Sequence, residues 1–315
     1  MISLKKALSQ AKKDKVAVAH FNISEFVTLK ACWEAANELS TKNLEQITGS
    51  DSSPVLSPKS LVLSRPIPII IGVSEGEQRF LGTTEAVDLI KHMRKNHDYP
   101  IFLNADHHKT LDSCKVAIDA GFDSVIIDAA DKPFEENVAL TRAVVEYARA
   151  SKNKRVLVEA EIGYIGAGSE IRDELPEGAA VSEAQLPTAE QVARFVEETG
   201  IDLLAPAVGN VHGMLKHSPN PHLFVKKIKE FRKAANVPLV LHGGSGIPDE
   251  DFVQAIDAGV RIIHISTELR RAWRSGLEKG LAEHPAEVAP YKLMESALAE
   301  IKAVALARLR LFNKL

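Results

Sequence analysis

The stretch Val237-Pro238-Leu239-Val240-Leu241-His242-Gly243-Gly244-Ser245-Gly246 joins a short apolar run to a glycine-rich turn. The leucines and valines are typical of a buried strand, and the pattern ends that strand at His242. Glycines and a serine directly after a strand let backbone N–H groups surround an anion such as phosphate. We therefore expect this strand to deliver a histidine and an anion-binding loop to the same place.

Similar apolar runs, each followed by a polar turn, recur along the chain and alternate with segments of helical periodicity. This alternation is typical of a parallel sheet. Eight such units fit an α/β fold of the (β/α)₈ or TIM-barrel type better than a doubly wound sheet, which has roughly five or six strands and a dinucleotide-binding fingerprint. The chain has no such fingerprint, which disfavours a nicotinamide oxidoreductase. The predicted strands are Val16–Phe21, Ile67–Val73, Pro100–Leu103, Ser124–Ile127, Arg155–Glu161, Leu203–Ala207, Pro238–Leu241 and Arg261–Ile265.

The 315 residues are expected to form one barrel domain, residues 1–315, with two additions. Thr41–Arg65 interrupts the alternation, and because a connection of this kind needs only a few residues, we predict an inserted loop there. We favour a surface excursion for this loop, and a partner-contact or oligomer element is the alternative. From about residue 268 onward the chain is predicted to be helical, and Leu298–Phe312 is long and amphipathic.

Composition narrows the class of protein. The net charge of −3 and the pI of about 6.4 provide no basic surplus, which argues against nucleic acid and membranes as partners. Cys32 and Cys114 are too few for a disulfide framework and fit a reducing compartment. No apolar run reaches the ~20 residues of a membrane span, and Met1–Lys6 predicts an amphipathic helix rather than a signal peptide. We expect a soluble, cytoplasmic protein.

Polar side chains gather at the predicted strand ends, where the active site of such a barrel lies. His107, His212 and His242 each end a different strand. Three imidazoles that leave a fourth position open are typical of a catalytic Zn²⁺ site. A histidine in a barrel is more often a hydrogen-bonded structural residue, however, and the spacing of these three leaves both interpretations open. The other polar residues at these ends include Asn22, Ser74, Asp106, Asp128, Glu161, Asn210, Ser245 and Thr267.

The chain resembles the class II, zinc-dependent aldolases, the family of fructose- and tagatose-bisphosphate aldolases. The matching motifs run in family order across nearly the whole chain, apart from the insert. They are His20-Phe21-Asn22, Asp106-His107, Asp128 followed by Pro133-Phe134-Glu135-Glu136-Asn137, Val158-Glu159-Ala160-Glu161-Ile162-Gly163, Gly209-Asn210-Val211-His212-Gly213, Leu241-His242-Gly243-Gly244-Ser245-Gly246 and Thr267-Glu268-Leu269-Arg270.

The resemblance implies the roles of individual residues. His107, His212 and His242 would bind one Zn²⁺ per subunit, with Glu161 as the carboxylate near the metal. Asp106 would be the acid/base at the hydroxyl of the carbon–carbon bond that forms or breaks.

A second set of roles concerns the substrate. A glutamate base is implied on the loop after Gly166, where this chain has Ser169 followed by Glu170. A monovalent cation, Na⁺ or K⁺, is common in the family near the substrate phosphate. The implied substrate-binding residues are Asn22, Ser74, Gly213, Lys216, Gly243, Ser245, His264 and Thr267.

The implied activity is the reversible cleavage of a ketose (bis)phosphate to dihydroxyacetone phosphate and an aldehyde such as glyceraldehyde 3-phosphate. Asn104 stands where relatives commonly have a histidine, and His264 stands where many have an asparagine. The resemblance therefore leaves the identity of the aldehyde open. A non-catalytic sugar-phosphate-binding protein on an aldolase scaffold is the alternative. A homodimer or homotetramer is expected from the family and from Leu298–Phe312, whose apolar stripe needs a surface to cover.

Overall fold

A computed structural model describes residues 2–48 and 65–315. In these ranges, eight parallel strands form the wall of a barrel: β1 (Val18–Asn22), β2 (Ile69–Ser74), β3 (Ile101–His108), β4 (Ser124–Ile127), β5 (Leu157–Ile162), β6 (Leu203–Pro206), β7 (Leu239–Leu241) and β8 (Val260–Ile265). The wall closes in the order β1-β8-β7-β6-β5-β4-β3-β2, which confirms the predicted (β/α)₈ barrel. Two further strands, Ile171–Arg172 and Met214–Leu215, pair with each other outside this wall.

Helices connect the strands and cover the outside of the barrel. Within the described ranges they are α1 (Leu4–Asp14), α2 (Phe26–Thr48), α3 (Glu75–Leu81), α4 (Thr83–His97), α5 (Leu111–Ala120), α6 (Phe134–Ala150), α7 (Ala189–Thr199), α8 (Val225–Ala235), α9 (Asp249–Ala258), α10 (Thr267–Glu283), α11 (Pro290–Leu293) and α12 (Glu295–Asn313). In the part of the chain that is described, no helix has the length and apolar character that a membrane span requires.

The predicted insert is helical where it begins. Helix α2 continues through Thr48, beyond the predicted start of the loop at Thr41. The helical periodicity predicted for Glu25–Leu39 thus continues in the backbone as far as Thr48, into a segment that was grouped with the loop because Thr41–Arg65 as a whole is rich in Ser, Pro, Lys and Asp. The rest of the predicted loop, residues 49–64, lies outside the described residues.

Side chains on a strand alternate between the outside and the inside of the barrel, so every second residue faces the axis. At the lower end of the axis these residues are apolar, and they pack against α1, which closes that end of the barrel with Leu4 and Leu8. Farther along the same strands the inward positions become polar. The change is seen from Val18 to His20 to Asn22, from Phe102 to Asn104 to Asp106, and from Leu157 to Glu159 to Glu161.

The last helix, α12, packs between α2 and α10. Gly276 of α10 permits this close approach, because a Cβ there would lie 2.4 Å from Ala297 Cα. Gly280 of α10 lets α11 approach in the same way, because a Cβ there would lie 2.1 Å from Leu293 O. The apolar stripe of α12, which includes Ile301 and Leu309, is fully buried within the chain. The stripe therefore needs no second subunit to cover it, and the oligomer remains a prediction without that support.

Candidate active site

His107, His212 and His242 converge at the carboxyl end of the barrel. Their ring centroids lie 4.7 Å apart for the first pair, 4.9 Å for His107 and His242, and 5.9 Å for the last pair. One ring nitrogen from each histidine lies within 4.8 Å of the other two. Histidines from three different strand ends, between positions 107 and 242 of the sequence, thus form one group of donors.

In two of the three histidines, Nδ1 lies within hydrogen-bond distance of an oxygen, and Nε2 remains available to a metal ion. His107 Nδ1 lies 2.9 Å from Asp128 Oδ2, and His212 Nδ1 lies 2.8 Å from the carbonyl oxygen of Gly166. An oxygen acceptor on one ring nitrogen fixes the tautomer and presents the lone pair of the other. The nitrogens left to bind a metal are therefore the Nε2 atoms of both rings.

His242 has the opposite orientation. Its Nε2 is 2.7 Å from Glu159 Oε1, whereas its buried Nδ1 has no hydrogen-bond partner in the part of the chain that the structure describes. Glu161 Oε1 lies 3.1 Å from that Nδ1 and 3.0 Å from His107 Nδ1. Three imidazoles, each oriented by an oxygen, with a carboxylate beside them, match the donor chemistry of Zn²⁺ with a position open to substrate. These residues fit the metal that their pattern predicts.

A bulge in β3 brings Asp106 and His107 to the same side. The register of β3 with β4 shifts between Ala105 and His108, and His107 has a φ of +50°. Strict alternation would send two consecutive side chains to opposite faces of the strand. The left-handed backbone at His107 removes that restriction, so both side chains line one cavity.

Asp106 is buried and has one oxygen held by the protein. Asn22 Nδ2 donates to Asp106 Oδ2 across 2.7 Å. The other oxygen, Oδ1, has no hydrogen-bond partner among the described residues, and it lies 3.6 Å from His264 Nδ1 and 3.7 Å from His107 Nε2. Asp106 therefore presents one uncommitted carboxylate oxygen directly beside the histidine group.

Two further histidines, His20 and His264, form a stack of imidazole rings against His242. The rings of His20 and His264 stack 3.5 Å apart, and the ring of His264 lies 4.0 Å from that of His242. His20 Nε2 is 3.0 Å from Asn104 Oδ1. The glycine at position 72 leaves the space for this ring, since a Cβ on Gly72 would lie 2.0 Å from His20 Cε1.

The buried carboxylates and imidazoles of the site shift one another's pKa values. Burial alone would raise the pKa of Asp106, but imidazoles including that of His107 outweigh it and lower this pKa to about 2. Burial alone would lower the pKa of His242, but the carboxylate of Glu161 outweighs it and raises this pKa to about 10. Burial, together with the charge of His107, lowers the pKa of His212 to about 4. A cation bound at these nitrogens would replace protons that the carboxylates otherwise attract.

Two glycines let three loops approach one another at the mouth of the barrel. Gly243 has a φ of +59°, and a Cβ there would lie 2.2 Å from the carbonyl oxygen of Val211. Gly213 has a φ of +85°, and a Cβ there would lie 2.5 Å from the carbonyl oxygen of Glu170. Only glycine fits both requirements, the left-handed backbone and the close contact. The loops that follow β5, β6 and β7 are thereby held against each other.

Ser245 connects the loop after β7 to the start of α10. Its Oγ accepts from the backbone N–H groups of Ser266 and Glu268, each across 3.2 Å. The carboxylate of Glu268 in turn accepts from the N–H of Gly246 across 2.9 Å. The buried Thr267 begins this 17-residue helix, whose N-terminus favours an anion.

One cavity of about 30 Å³ lies at this end of the barrel, and we call it the reaction cavity. Most of the predicted site residues line it. His242 and Glu161 are buried beside it, in contact with each other and with His107. The predicted residues that line the cavity are Asn22, Asp106, His107, His212, Gly213, Gly243, Ser245, His264 and Thr267.

Besides His242 and Glu161, three predicted residues do not line this cavity. Ser74 caps α3 through its side chain, which accepts from the N–H of Glu77 across 3.4 Å. The ammonium of Lys216 is 3.7 Å from Asp173 and more than half exposed. The side chain of Glu170 is 72% exposed and lies 3.4 Å from the guanidinium of Arg172. In this arrangement it is the neighbouring Ser169 that faces the cavity.

The structure adds residues to which sequence reasoning assigned no role. Glu159 holds His242, and its position two residues before Glu161 places both carboxylates on the inner face of β5. In the sequence, this two-residue spacing on a predicted strand could have identified Glu159 as a second inward-facing carboxylate. The backbone of Gly166 holds His212 through its carbonyl oxygen, a contact with no signature in the residue type.

Comparison with known proteins identifies the family. The family model "Fructose-bisphosphate aldolase class-II" matches residues 64–315. The chain belongs to this family. A fructose-bisphosphate aldolase from Geobacillus stearothermophilus is 35% identical over 99% of this chain and 97% of its own length. One from Staphylococcus aureus is 34% identical over the same shares of the two chains.

Solved structures of aldolases have the same fold. The YdjI aldolase of Escherichia coli K12 superimposes with a TM-score of 0.74 at 26% identity, covering 99% of this chain and 97% of its own. A fructose-bisphosphate aldolase from Campylobacter jejuni gives a TM-score of 0.76, covering 99% of this chain and 95% of its own, and at 20% identity shows the fold alone.

Family membership confirms the predictions of a class II aldolase and of a lyase. It lends no support to the alternative of a non-catalytic binding protein. Class II aldolases generally depend on a metal ion, and the donor group around His107 fits that dependence.

Proposed function

We propose that the protein catalyses the reversible aldol cleavage of a ketose (bis)phosphate to dihydroxyacetone phosphate and an aldehyde such as glyceraldehyde 3-phosphate. The observation that carries this proposal is the meeting of three uncommitted imidazole nitrogens with the uncommitted Oδ1 of Asp106 at one cavity. His107, His212 and His242 would hold Zn²⁺, with Glu161 next to the site. Bound there, Zn²⁺ supplies a Lewis acid that polarises the ketone oxygen and stabilises the charge that develops on it.

Asp106 moves the proton at the aldehyde oxygen. In cleavage its Oδ1 takes the proton of the C4 hydroxyl, and in condensation it returns that proton. Asn22 holds Oδ2 and so directs Oδ1 toward the substrate. Burial would raise the pKa of Asp106, but the neighbouring imidazoles outweigh burial and lower it. The carboxylate is therefore kept in the basic form that cleavage requires.

The phosphate of the three-carbon half is held on the opposite side. Gly213, Gly243, Ser245 and Thr267 line the same cavity, and the N-terminus of α10 adds its dipole to them. Binding energy at this non-reacting end orients the bond to be cleaved. His264, which also lines the cavity, is proposed to contact the substrate near Asp106.

Glu170, Lys216 and Ser74 remain proposed contacts that need a rearrangement. Glu170 would remove the proton from the three-carbon unit, and its neighbour Ser169 already faces the cavity. A shift of the loop after Gly166 would exchange the ion pair of Glu170 with Arg172 for a position at the substrate. Lys216 would approach the phosphate by leaving Asp173, and Ser74 would reach the substrate by releasing the N-terminus of α3.

A metal-depletion assay tests the function. The protein is offered fructose 1,6-bisphosphate and fructose 1-phosphate, and the dihydroxyacetone phosphate released is measured with a coupled dehydrogenase. We expect EDTA to abolish cleavage, Zn²⁺ to restore it, and His212→Ala to prevent restoration. His92→Ala, which removes an exposed histidine bonded to Asn96, is the matched control and keeps full activity. A zinc-loaded protein that cleaves no phosphorylated ketose would contradict the proposal.

We propose three further properties of this enzyme: a cytoplasmic location, a homodimeric or homotetrameric state, and stimulation by Na⁺ or K⁺ near the phosphate. The location is supported by two free, buried cysteines, which suit a reducing compartment. Cell fractionation, light scattering at micromolar concentration, and assays in sodium, potassium and tetramethylammonium buffers test these three in turn.

A further inference from the structure

We infer that the aldehyde half of the substrate lies in a second, larger cavity beside the reaction centre, and that this cavity selects an uncharged polyhydroxy aldehyde over a phosphorylated one. The inference rests on the proposed function and names the substrate class of the same site. We call this space of about 940 Å³ between the start of α2, α3 and the α10–α12 region the acceptor cavity. Its size is within the range of small-molecule sites, which is about 300–1,000 Å³.

The acceptor cavity borders the reaction centre at Asn22, which lines both spaces. The amide of Asn22 donates to Asp106 across 2.7 Å and lies 3.4 Å from Glu77, a wall residue of the acceptor cavity. In a ketose 1-phosphate, the carbons released as the aldehyde lie on the far side of the cleaved bond from the phosphate. Because Asp106 acts at the first of those carbons, the remainder of the chain is directed past Asn22 into the acceptor cavity.

Charges in the acceptor cavity do not suit a second phosphate. In the described ranges, its wall has two cationic side chains, and each has a carboxylate nearby: Arg270 Nη2 is 2.6 Å from Glu77 Oε1, and Lys30 Nζ is 3.8 Å from Glu34 Oε1. Three carboxylates, those of Glu25, Glu77 and Glu295, belong to the same wall. Over the residues that the structure describes, the formal charge of the wall is thus −1 (two cations and three anions), so a phosphate dianion meets net repulsion from them.

The remaining wall suits a sugar chain. Phe26, Phe80 and Tyr291 are 53%, 79% and 68% exposed, and Trp273 lies among them. Exposed apolar side chains gathered around a cavity are typical of a binding site. The C–H faces of an uncharged sugar would pack on these rings, while its hydroxyls donate to carboxylates, which only accept. Glu295 is one such acceptor in the wall.

Acceptor competition tests this inference. The zinc-loaded enzyme condenses dihydroxyacetone phosphate with D-glyceraldehyde, D-erythrose or glyceraldehyde 3-phosphate, and kcat/KM is measured for each. We expect both uncharged aldehydes to exceed glyceraldehyde 3-phosphate at least tenfold. A preference for glyceraldehyde 3-phosphate overturns the inference.

Proton exchange of dihydroxyacetone phosphate in deuterated water, followed by NMR without an aldehyde, reports the donor half alone. Exchange combined with a preference for the phosphorylated aldehyde overturns this inference only. Absence of both exchange and cleavage overturns the proposed function as well.

Variants separate a substrate wall from a subunit interface. Phe80→Ala and Tyr291→Ala should each lower kcat/KM for D-erythrose roughly three- to tenfold, as expected for loss of one aromatic contact, and leave exchange and molecular mass unchanged. Leu281→Ala, which shortens an exposed side chain of α10 outside the cavity, is the control. Variants that change the mass in solution and leave the aldehyde preference intact would assign these rings to a second copy of the chain and overturn the inference.

Discussion

Asp106 and His107 are consecutive residues of β3, and both side chains nevertheless line the same cavity. The cause is the φ of +50° at His107, where the register between β3 and β4 shifts. A non-glycine residue with this backbone is uncommon, and such conformations concentrate at functional sites. One strand thus supplies a metal ligand and an acid/base side by side.

Substitutions at His107 should separate backbone strain from metal binding. Both His107→Asn and His107→Val remove the ligand, and we expect zinc content to fall far below one per chain and cleavage to fall at least ~10³-fold in each. Asparagine tolerates the left-handed backbone and a β-branched valine does not, so the valine variant should be less stable by about 1–2 kcal/mol. Metal analysis and urea unfolding of the zinc-free proteins measure these effects. Equal stability of the two variants would contradict strain at this residue.

Removal of the acid/base should divide the reaction into its halves. Asp106→Ala is expected to lower cleavage by roughly 10²–10⁴-fold, because it removes the carboxylate proposed to take the proton of the C4 hydroxyl. Deuterium exchange into dihydroxyacetone phosphate should persist, since that step does not involve the aldehyde oxygen. The control is Asp112→Ala, at a carboxylate whose side chain is 90% exposed. Loss of exchange equal to the loss of cleavage would argue against this role.

Glu159 should act through His242. The carboxylate of Glu159 bonds to Nε2 and thereby directs Nδ1 toward the metal group. We expect Glu159→Gln to weaken zinc binding by roughly 10–100-fold, the usual effect of losing such a partner. Competition with a zinc-binding dye measures the affinity. Glu278→Gln, at an exposed carboxylate paired with Arg274, serves as the control, and an unchanged affinity in Glu159→Gln would show that His242 needs no orienting carboxylate.

A methyl group at position 243 should disturb the phosphate loop. A Cβ on Gly243 would lie 2.2 Å from Val211 O, so the loops after β6 and β7 must separate in Gly243→Ala. We expect KM for the sugar phosphate to rise about tenfold or more, with little change in zinc content. Gly76→Ala is the matched control, because the nearest atom to its Cβ is the end of the Arg79 side chain at 3.7 Å. Equal KM values in the two variants would exclude a role for the Gly243 backbone.

Much of this arrangement followed from local rules of sequence. Alternation of apolar runs and helical segments predicted eight strands, and the parallel direction of those strands predicted that residues ending them meet at one face. His107, His212 and His242 could be grouped for that reason. Period-two alternation also contained the signal for Glu159, two residues before Glu161.

Other predictions were limited because distant contacts override local patterns. The segment from Thr41 to Thr48 was predicted as loop from the Ser, Pro, Lys and Asp content of Thr41–Arg65 as a whole, yet the helix α2 continues through it. Leu298–Phe312 was expected to need a second subunit, but α2 and α10 cover its apolar face. Amphipathicity identifies a face that must be buried and does not identify the surface that buries it.

By itself, the sequence determined the barrel, the order of its strands and the residues at their carboxyl ends, because these depend on the period of apolar residues along the chain. Tertiary structure alone decided which nitrogen each histidine keeps free, how Asp106 and His107 share one side, and where the acceptor cavity begins. Those features depend on contacts such as that of His242 with Glu159, 83 residues apart in sequence. No local pattern encodes such a pair, since their distance is set only when the barrel closes.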